Sequence, residues 1–290
     1  MNLKRHILTV LLVVVAWASA MAQTAVNDNN TPLHLMLPAY TVGYGVPSAE
    51  SVKQTIDRVL RYIETETPPQ LADRKSGREV KRLADIDADT QLKQGGFRLT
   101  SYEWGVTYSA VLAAYEVTGD ESYRNYVTTR HKLLADIAPY FRKVYASTGD
   151  IDVNVRRVID PHALDDAGAV CCSMIKSELM GTCDKGALRP LIDNYIDYIL
   201  NKEFRLADGT FARLRPQKNT VWLDDMFMGI PALALHGDID EAQRQFKLFH
   251  DKMWVGNKHL YRHGWVPGEH HPSFFWGRAN GCRSLQSPRC

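Results

Sequence analysis

The strongest constraint on this chain is a recurring pair of helical segments joined by a short turn. Trp104 to Val117 is apolar almost all round, is stopped by Thr118-Gly119-Asp120, and is followed by an amphipathic run from Glu121 to about Ile137. Asp165 to about Met180 and Ala187 to Glu203 repeat the pairing, and Asp225 to Leu235, the turn His236-Gly237-Asp238 and Ile239 to Phe249 repeat it again. In each pair the first helix is rich in small and apolar residues and the second carries more charge. A buried inner helix backed by a half-solvated outer one has this pattern, and toroids of paired helices are built from it. Strand signals are scarce, so the chain reads as all-α.

Upstream of the pairs, Ser51 to Ile63 reads as a further helix with Val52, Ile56, Val59, Leu60 and Ile63 on one face. The polar, basic stretch from Asp73 to Gln94 reads as an exposed loop. At the N-terminus, Lys4 and Arg5 precede an apolar run, Ile7 to Trp17, and small residues ending at Ala20-Met21-Ala22. This is the pattern of a secretory signal cleaved after Ala22, too short for a permanent anchor of about 20 residues. The expected organisation is a signal peptide at 1–22, an N-terminal extension at 23–48, a helical domain at 49–281 and a tail at 282–290. The expected location is outside the cytoplasm, periplasmic or secreted, with no membrane partner after cleavage. A net charge of +2 argues against a nucleic-acid partner. Cys171, Cys172, Cys183, Cys282 and Cys290 lack the spacing of a disulfide framework or a zinc site, though a Cys172–Cys183 bridge stays open in an oxidising compartment.

Function is carried by two acidic segments, Leu164-Asp165-Asp166-Ala167-Gly168-Ala169 and Trp222-Leu223-Asp224-Asp225-Met226-Phe227-Met228, each at the start of an inner helix. Carboxylates set among apolar residues are partly desolvated, which raises their pKa and suits them to hold or deliver a proton near neutral pH. The active groups of a helical ring sit where inner helices begin, so Asp166 and Asp224 are expected to converge on one central cleft. Helix capping is the competing role for Asp165 and Asp224. Trp104, Tyr108, Trp222, Trp265, Phe274, Phe275 and Trp276 offer flat faces for pyranose rings. His162, His263, His270, His271 and Arg278 offer donors, and an arginine fork suits a uronate carboxylate. Without a third ligand at helical spacing, His270-His271 reads as a surface loop rather than a metal site.

The order of Trp104-Gly105-Val106, Asp166-Ala167-Gly168-Ala169, the run Trp222 to Pro231, Tyr261-Arg262-His263-Gly264-Trp265 and Trp276-Gly277-Arg278-Ala279-Asn280-Gly281 resembles glycoside hydrolase family 105, the unsaturated rhamnogalacturonyl hydrolases, with family 88 glucuronyl hydrolases as relatives. The resemblance implies an all-α, six-hairpin (α/α)6 toroid. It is expected to be incomplete here, because the family pattern continues with a Trp and further helices where this chain has Cys282 to Cys290. The reading counts about seven helices, against the twelve of a closed ring. The implied reaction is removal of a 4,5-unsaturated uronic acid from lyase-generated oligosaccharides by hydration of the double bond, with no metal or organic cofactor. By the same resemblance Asp224 is the catalytic acid/base, Asp166 the second acid, and Trp222, His263, Trp276 and Arg278 bind substrate. Tyr108 is a further wall residue and Asp225 a neighbour of the site; consecutive helical positions point about 100° apart, so Asp224 and Asp225 cannot share one task. Two alternatives stay open: an inactive remnant with at most glycan affinity, and another α/α-toroid carbohydrate enzyme.

Overall fold

The computed structural model describes residues 45–284 apart from Gln94, Gly96, Lys185 and 269–274. The signal-peptide and extension readings up to residue 44, His270, His271, Phe274 and the tail from Leu285 lie outside the described residues. The chain divides into Met1–Gln54 and Thr55–Cys290. Of the first unit, residues 45–54 are described, and they open helix α1 (Ala49–Glu66). All other described elements lie in the second.

Three helical hairpins dominate that unit. They are α2 (Tyr102–Thr118) with α3 (Glu121–Thr148), α5 (Leu164–Leu179) with α6 (Arg189–Asp197), and α7 (Leu223–His236) with α8 (Ile239–Met253). A short α4 (Val153–Ile159) follows α3, and α9 (Gly277–Ser284) follows the last hairpin. The hairpin turns follow from the sequence. Gly119 and Gly237 take φ of 69° and 111°, the left-handed conformation that glycine adopts without a Cβ penalty. Their amides close on the carbonyls of Tyr115 and Leu233, and Asp120 then caps α3 by accepting from the Ser122 amide at 3.1 Å.

The inner helices α2, α5 and α7 pack side by side in that order, α9 lies against α7, and α3, α6 and α8 back them from outside. Small residues make the inner contacts close. A Cβ on Gly105 of α2 would lie 2.4 Å from the Ala169 backbone of α5, and one on Gly168 of α5 would lie 2.3 Å from the Met228 carbonyl oxygen of α7. The helices therefore touch backbone to backbone at these two points. One core cluster joins α3 through α8 around Phe141, Met174, Tyr195 and Phe249; a second joins α1, α2 and the start of α3 around Tyr108, Leu112 and Tyr123.

Several sequence expectations need correction. The stretch from Asp73 to Gln94 is not a plain exposed loop: β1 (Leu71–Asp73) pairs antiparallel with β2 (Thr90–Leu92), and Ile86 and Leu92 enter the core. Two apolar residues among many charges were enough to anchor it. On α1 only Leu60 and Ile63 are buried, while Val52 and Val59 are exposed. Helix α3 runs eleven residues beyond Ile137, through Pro139, to Thr148. Cys183 is a free thiol, so the Cys172–Cys183 bridge is not formed. No described helix is long and apolar enough to cross a membrane.

Candidate active site

Short antiparallel strands assemble the site. Val221–Trp222 (β3) pairs with Gly264–Trp265 (β6), Trp222 opposite Gly264, and the ladder extends as the Leu223 amide donates to the His263 carbonyl at 2.9 Å. β3 runs straight into α7, so His263 is carried over the first turn of that helix. Trp254–Val255 (β4) pairs with Leu260–Tyr261 (β5), two residues before His263.

Asp224 sits in the first turn of α7, with only 8% of its surface exposed. His263 Nδ1 lies 3.4 Å from its Oδ2, and Arg278 Nη2 lies 3.4 Å from its Oδ1. Oδ2 is buried without a hydrogen bond among the described residues. The His263 ring stands edge-on to Trp276 at 4.7 Å between centroids and tilted against Trp222 at 5.7 Å. The Arg278 guanidinium stacks over Trp276 at 3.9 Å. Burial holds the His263 pKa below its ordinary value, with Asp224 pulling it back up. The structure brings these five residues, Trp222, Asp224, His263, Trp276 and Arg278, into one group.

Asp166 also lies in the first turn of its helix, α5, one position further in than Asp224 lies in α7. Its Oδ1 accepts from the Tyr102 amide at 2.8 Å, and its Oδ2 lies 3.1 Å from Arg157 Nε. Burial and the neighbouring Asp165 charge raise its carboxyl pKa, against the Tyr102 amide and Arg157. Tyr102 opens helix α2 beside Asp166. Burial and then the Glu103 charge raise its hydroxyl pKa; Asp224 and Asp165 act in the same direction and Arg278 opposes. A cleft of about 1060 Å³ opens beside Asp166, with Tyr102, Asp165, Asp166, Glu203, Arg213 and Asp225 among its walls and the exposed His162 at its edge; Asp224, expected to share a cleft with Asp166, is not among its walls.

None of these acids stands at the cap position of its own helix. The cap positions of α5 and α7 are held by Ala163 and Trp222, neither with a side-chain cap bond, and the four aspartates lie within the first turn. Negative charge there suits the helix dipole; Asp165 Oδ1 accepts from the Asp166 amide at 2.8 Å, and Asp166 Oδ1 accepts from the Tyr102 amide that opens α2. Asp225 is 2% exposed and is gripped by Arg213: Nε donates to Oδ2 and Nη2 to Oδ1, both at 2.7 Å. Burial pushes its carboxyl up to about 6, with the Arg213 charge opposing.

Two expected platforms are core residues instead. Tyr108 is fully enclosed, its hydroxyl donating to the Leu99 carbonyl at 3.2 Å and its ring against His131. Trp104 is buried and donates from Nε1 to Tyr126 at 3.2 Å. Neither offers a face to a sugar. Trp265 is half-buried against the core, with the Lys252 ammonium 5.5 Å from its ring.

A family model described as Glycosyl Hydrolase Family 88 matches residues 71–283, a span that holds every one of these acids and aromatics. The chain belongs to this family. Solved structures with the same arrangement extend the family 88 likeness to the fold. A possible member of the GH105 family from Salmonella enterica subsp. enterica serovar Paratyphi A superimposes with a TM-score of 0.51 at 19% identity, over 87% of this chain and 60% of its own. A possible GH105 member from Klebsiella pneumoniae subsp. pneumoniae gives 0.52 at 18% identity, over 90% and 62%. An inactive variant of the GH76A α-1,6-mannanase from Salegentibacter sp., in complex with α-1,6-mannotetrose, gives 0.50 at 10% identity, over 79% and 61%. No curated protein matches. The fold of this family 88 chain is that of an α/α toroid, and the chain spans about three fifths of the length of the two GH105 structures.

The sequence reading missed Arg213, Arg157, Tyr102 and Glu203. Arg157 lies on α4, a helix too short to show a period. Arg213 lies in the irregular approach to β3, outside any motif; its only signal was an arginine following the apolar pair Phe211-Ala212.

Proposed function

We propose that this chain is an exported glycoside hydrolase that removes a 4,5-unsaturated uronic acid from lyase-generated oligosaccharides of the rhamnogalacturonan type. Export rests on the signal-like segment at 1–22. The chemistry rests on one observation: a nearly buried carboxylate, Asp224, faced on opposite oxygens by His263 and Arg278 and flanked by Trp222 and Trp276.

That arrangement supports hydration of a double bond. Asp224 in its acid form delivers a proton to C4. The resulting carboxylate takes a proton from the water whose oxygen bonds to C5, so water adds across C4=C5 and Asp224 regains its proton. The product is a hemiketal, which opens and expels the neighbouring sugar. Arg278 has the fork to hold the uronate carboxylate while Trp276 supports the ring. Burial keeps His263 neutral near pH 7, so it can hydrogen-bond without adding a second full positive charge beside Arg278. Asp166, with its raised pKa, stands as the second acid.

The test uses the ultraviolet absorbance of the conjugated uronate, which hydration destroys. Incubation with unsaturated rhamnogalacturonan disaccharide is expected to abolish the absorbance, and glycosaminoglycan disaccharides are expected to react more slowly. Loss only with the latter would move the substrate class, and a constant signal with all of them would overturn the reading.

A further inference from the structure

Arg213 makes three charge-assisted hydrogen bonds, all at 2.7 Å: Nε to Asp225 Oδ2, and Nη2 to both Asp225 Oδ1 and Asp165 Oδ2. Asp225 belongs to the first turn of α7 and Asp165 to the first turn of α5. One guanidinium therefore ties the starts of two inner helices together. Its plane also lies 4.1 Å from the Trp222 ring centroid, and its own backbone is fixed where the Arg213 amide donates to the Thr220 carbonyl at 2.7 Å.

The residues next to the two tethered acids are Asp166 and Asp224. Adjacent helical side chains diverge by about 100°, so with Asp165 and Asp225 held by one cation, Asp166 and Asp224 are each turned about 100° away from the gripped neighbour. We propose that Arg213 is a positioning residue: it sets the separation of the Asp166 and Asp224 carboxyls and the tilt of Trp222, without touching the reacting atoms. The inference rests on the function proposed above. Three of the five N–H donors of the guanidinium are engaged by protein carboxylates, and a planar fork is the side chain that can hold two of them in fixed geometry. Asp225 is buried and Asp165 half-buried, so removing the cation leaves at least one carboxylate without compensation away from water.

A simpler role is that Arg213 only neutralises a buried and a half-buried acid. Three variants separate the two roles. Arg213→Lys keeps the charge but has no fork; it is expected to fold and to lose kcat about tenfold with little change in KM, because misplaced catalytic groups cost rate before affinity. Arg213→Met leaves the acids unpaired and is expected to melt well below wild type. The triple variant Arg213→Met, Asp165→Asn, Asp225→Asn removes every charge of the cluster; its Tm is expected to recover to within about 3 °C of wild type, with kcat still about 10- to 100-fold down. Full kcat in the lysine variant, or recovery of kcat along with Tm in the triple variant, would overturn the positioning role. If wild type turns over none of the unsaturated disaccharides, the proposed function fails by itself, and a crystal structure of the triple variant then decides the inference. A shift of about 1 Å in the separation of the Asp166 and Asp224 carboxyls supports it, and an unmoved pair overturns it.

Discussion

Asn280 lies across Tyr261 like the next strand of a sheet. Its Oδ1 accepts from the Tyr261 amide and its Nδ2 donates to the Tyr261 carbonyl, both at 2.9 Å. Tyr261 ends β5, two residues before His263, and Asn280 sits on the helix that carries Arg278. One side-chain amide therefore ties the segment carrying Trp276 and Arg278 to the strand that leads to His263.

Asn280→Ala should remove both hydrogen bonds that the side-chain amide makes to the Tyr261 backbone, at a stability cost of about 1–3 kcal/mol. With α9 loosened, KM for the unsaturated disaccharide should rise about tenfold while kcat falls less, since the loss is in holding the sugar. Asn280→Asp keeps the acceptor but cannot donate, and should move in the same direction. Steady-state kinetics beside a thermal melt reads both effects, and an unchanged KM would contradict the assignment.

Gly168→Ala tests the close approach of α5 and α7. The added Cβ would meet the Met228 carbonyl oxygen at 2.3 Å, a backbone atom that cannot rotate away. Overpacking of this kind costs about 1–3 kcal/mol or more. The urea midpoint should fall accordingly, and activity should fall with it, because the displaced helix starts carry Asp166 and Asp224. A midpoint equal to wild type would mean the helices are less tightly joined than described.

Glu203 makes a pH prediction. It follows a π-helical turn at Tyr198–Lys202, and burial raises its carboxyl pKa to about 7, with the Tyr198 hydrogen bond opposing. An acid with a raised folded-state pKa holds its proton in the folded chain where the unfolded chain has released it. Its contribution to stability is therefore full below the ordinary value near 4.5 and is lost as pH rises to about 7. Glu203→Gln should remove that loss. Its Tm should exceed wild type by several degrees at pH 8 and match it near pH 4.5. Parallel Tm–pH curves for the two proteins would contradict the raised pKa.

The hairpin architecture was legible because it depends on local signals: a 3.6-residue apolar period, and Gly-Asp turns at Gly119 and Gly237. The acids were legible because Asp166 and Asp224 sit where charge among apolar residues is unusual. Whether an aromatic was wall or core was not legible. Trp222 and Trp276 reach the site and Trp104 and Tyr108 fill the interior, and only packing separates them. Arg213 was invisible for the same reason: its partners, Asp165 and Asp225, are forty-eight and twelve residues away, and no local pattern announces a contact of that range. The hairpin of β1 and β2 was hidden by its charge, since the pairing depends on the Leu92 amide donating to Asp152 Oδ2 at 3.0 Å, sixty residues distant.

The central claim is that Asp224 moves the proton. Its most direct test follows the absorbance of unsaturated rhamnogalacturonan disaccharide with wild type and with Asp224→Asn, beside a melting curve of each. Asparagine preserves size and helix position but cannot donate a carboxylic proton. The account predicts rapid loss of the chromophore with wild type, and a rate lower by about 10²- to 10⁴-fold in the variant at an unchanged Tm. A variant that folds normally and consumes the substrate at the wild-type rate would contradict it.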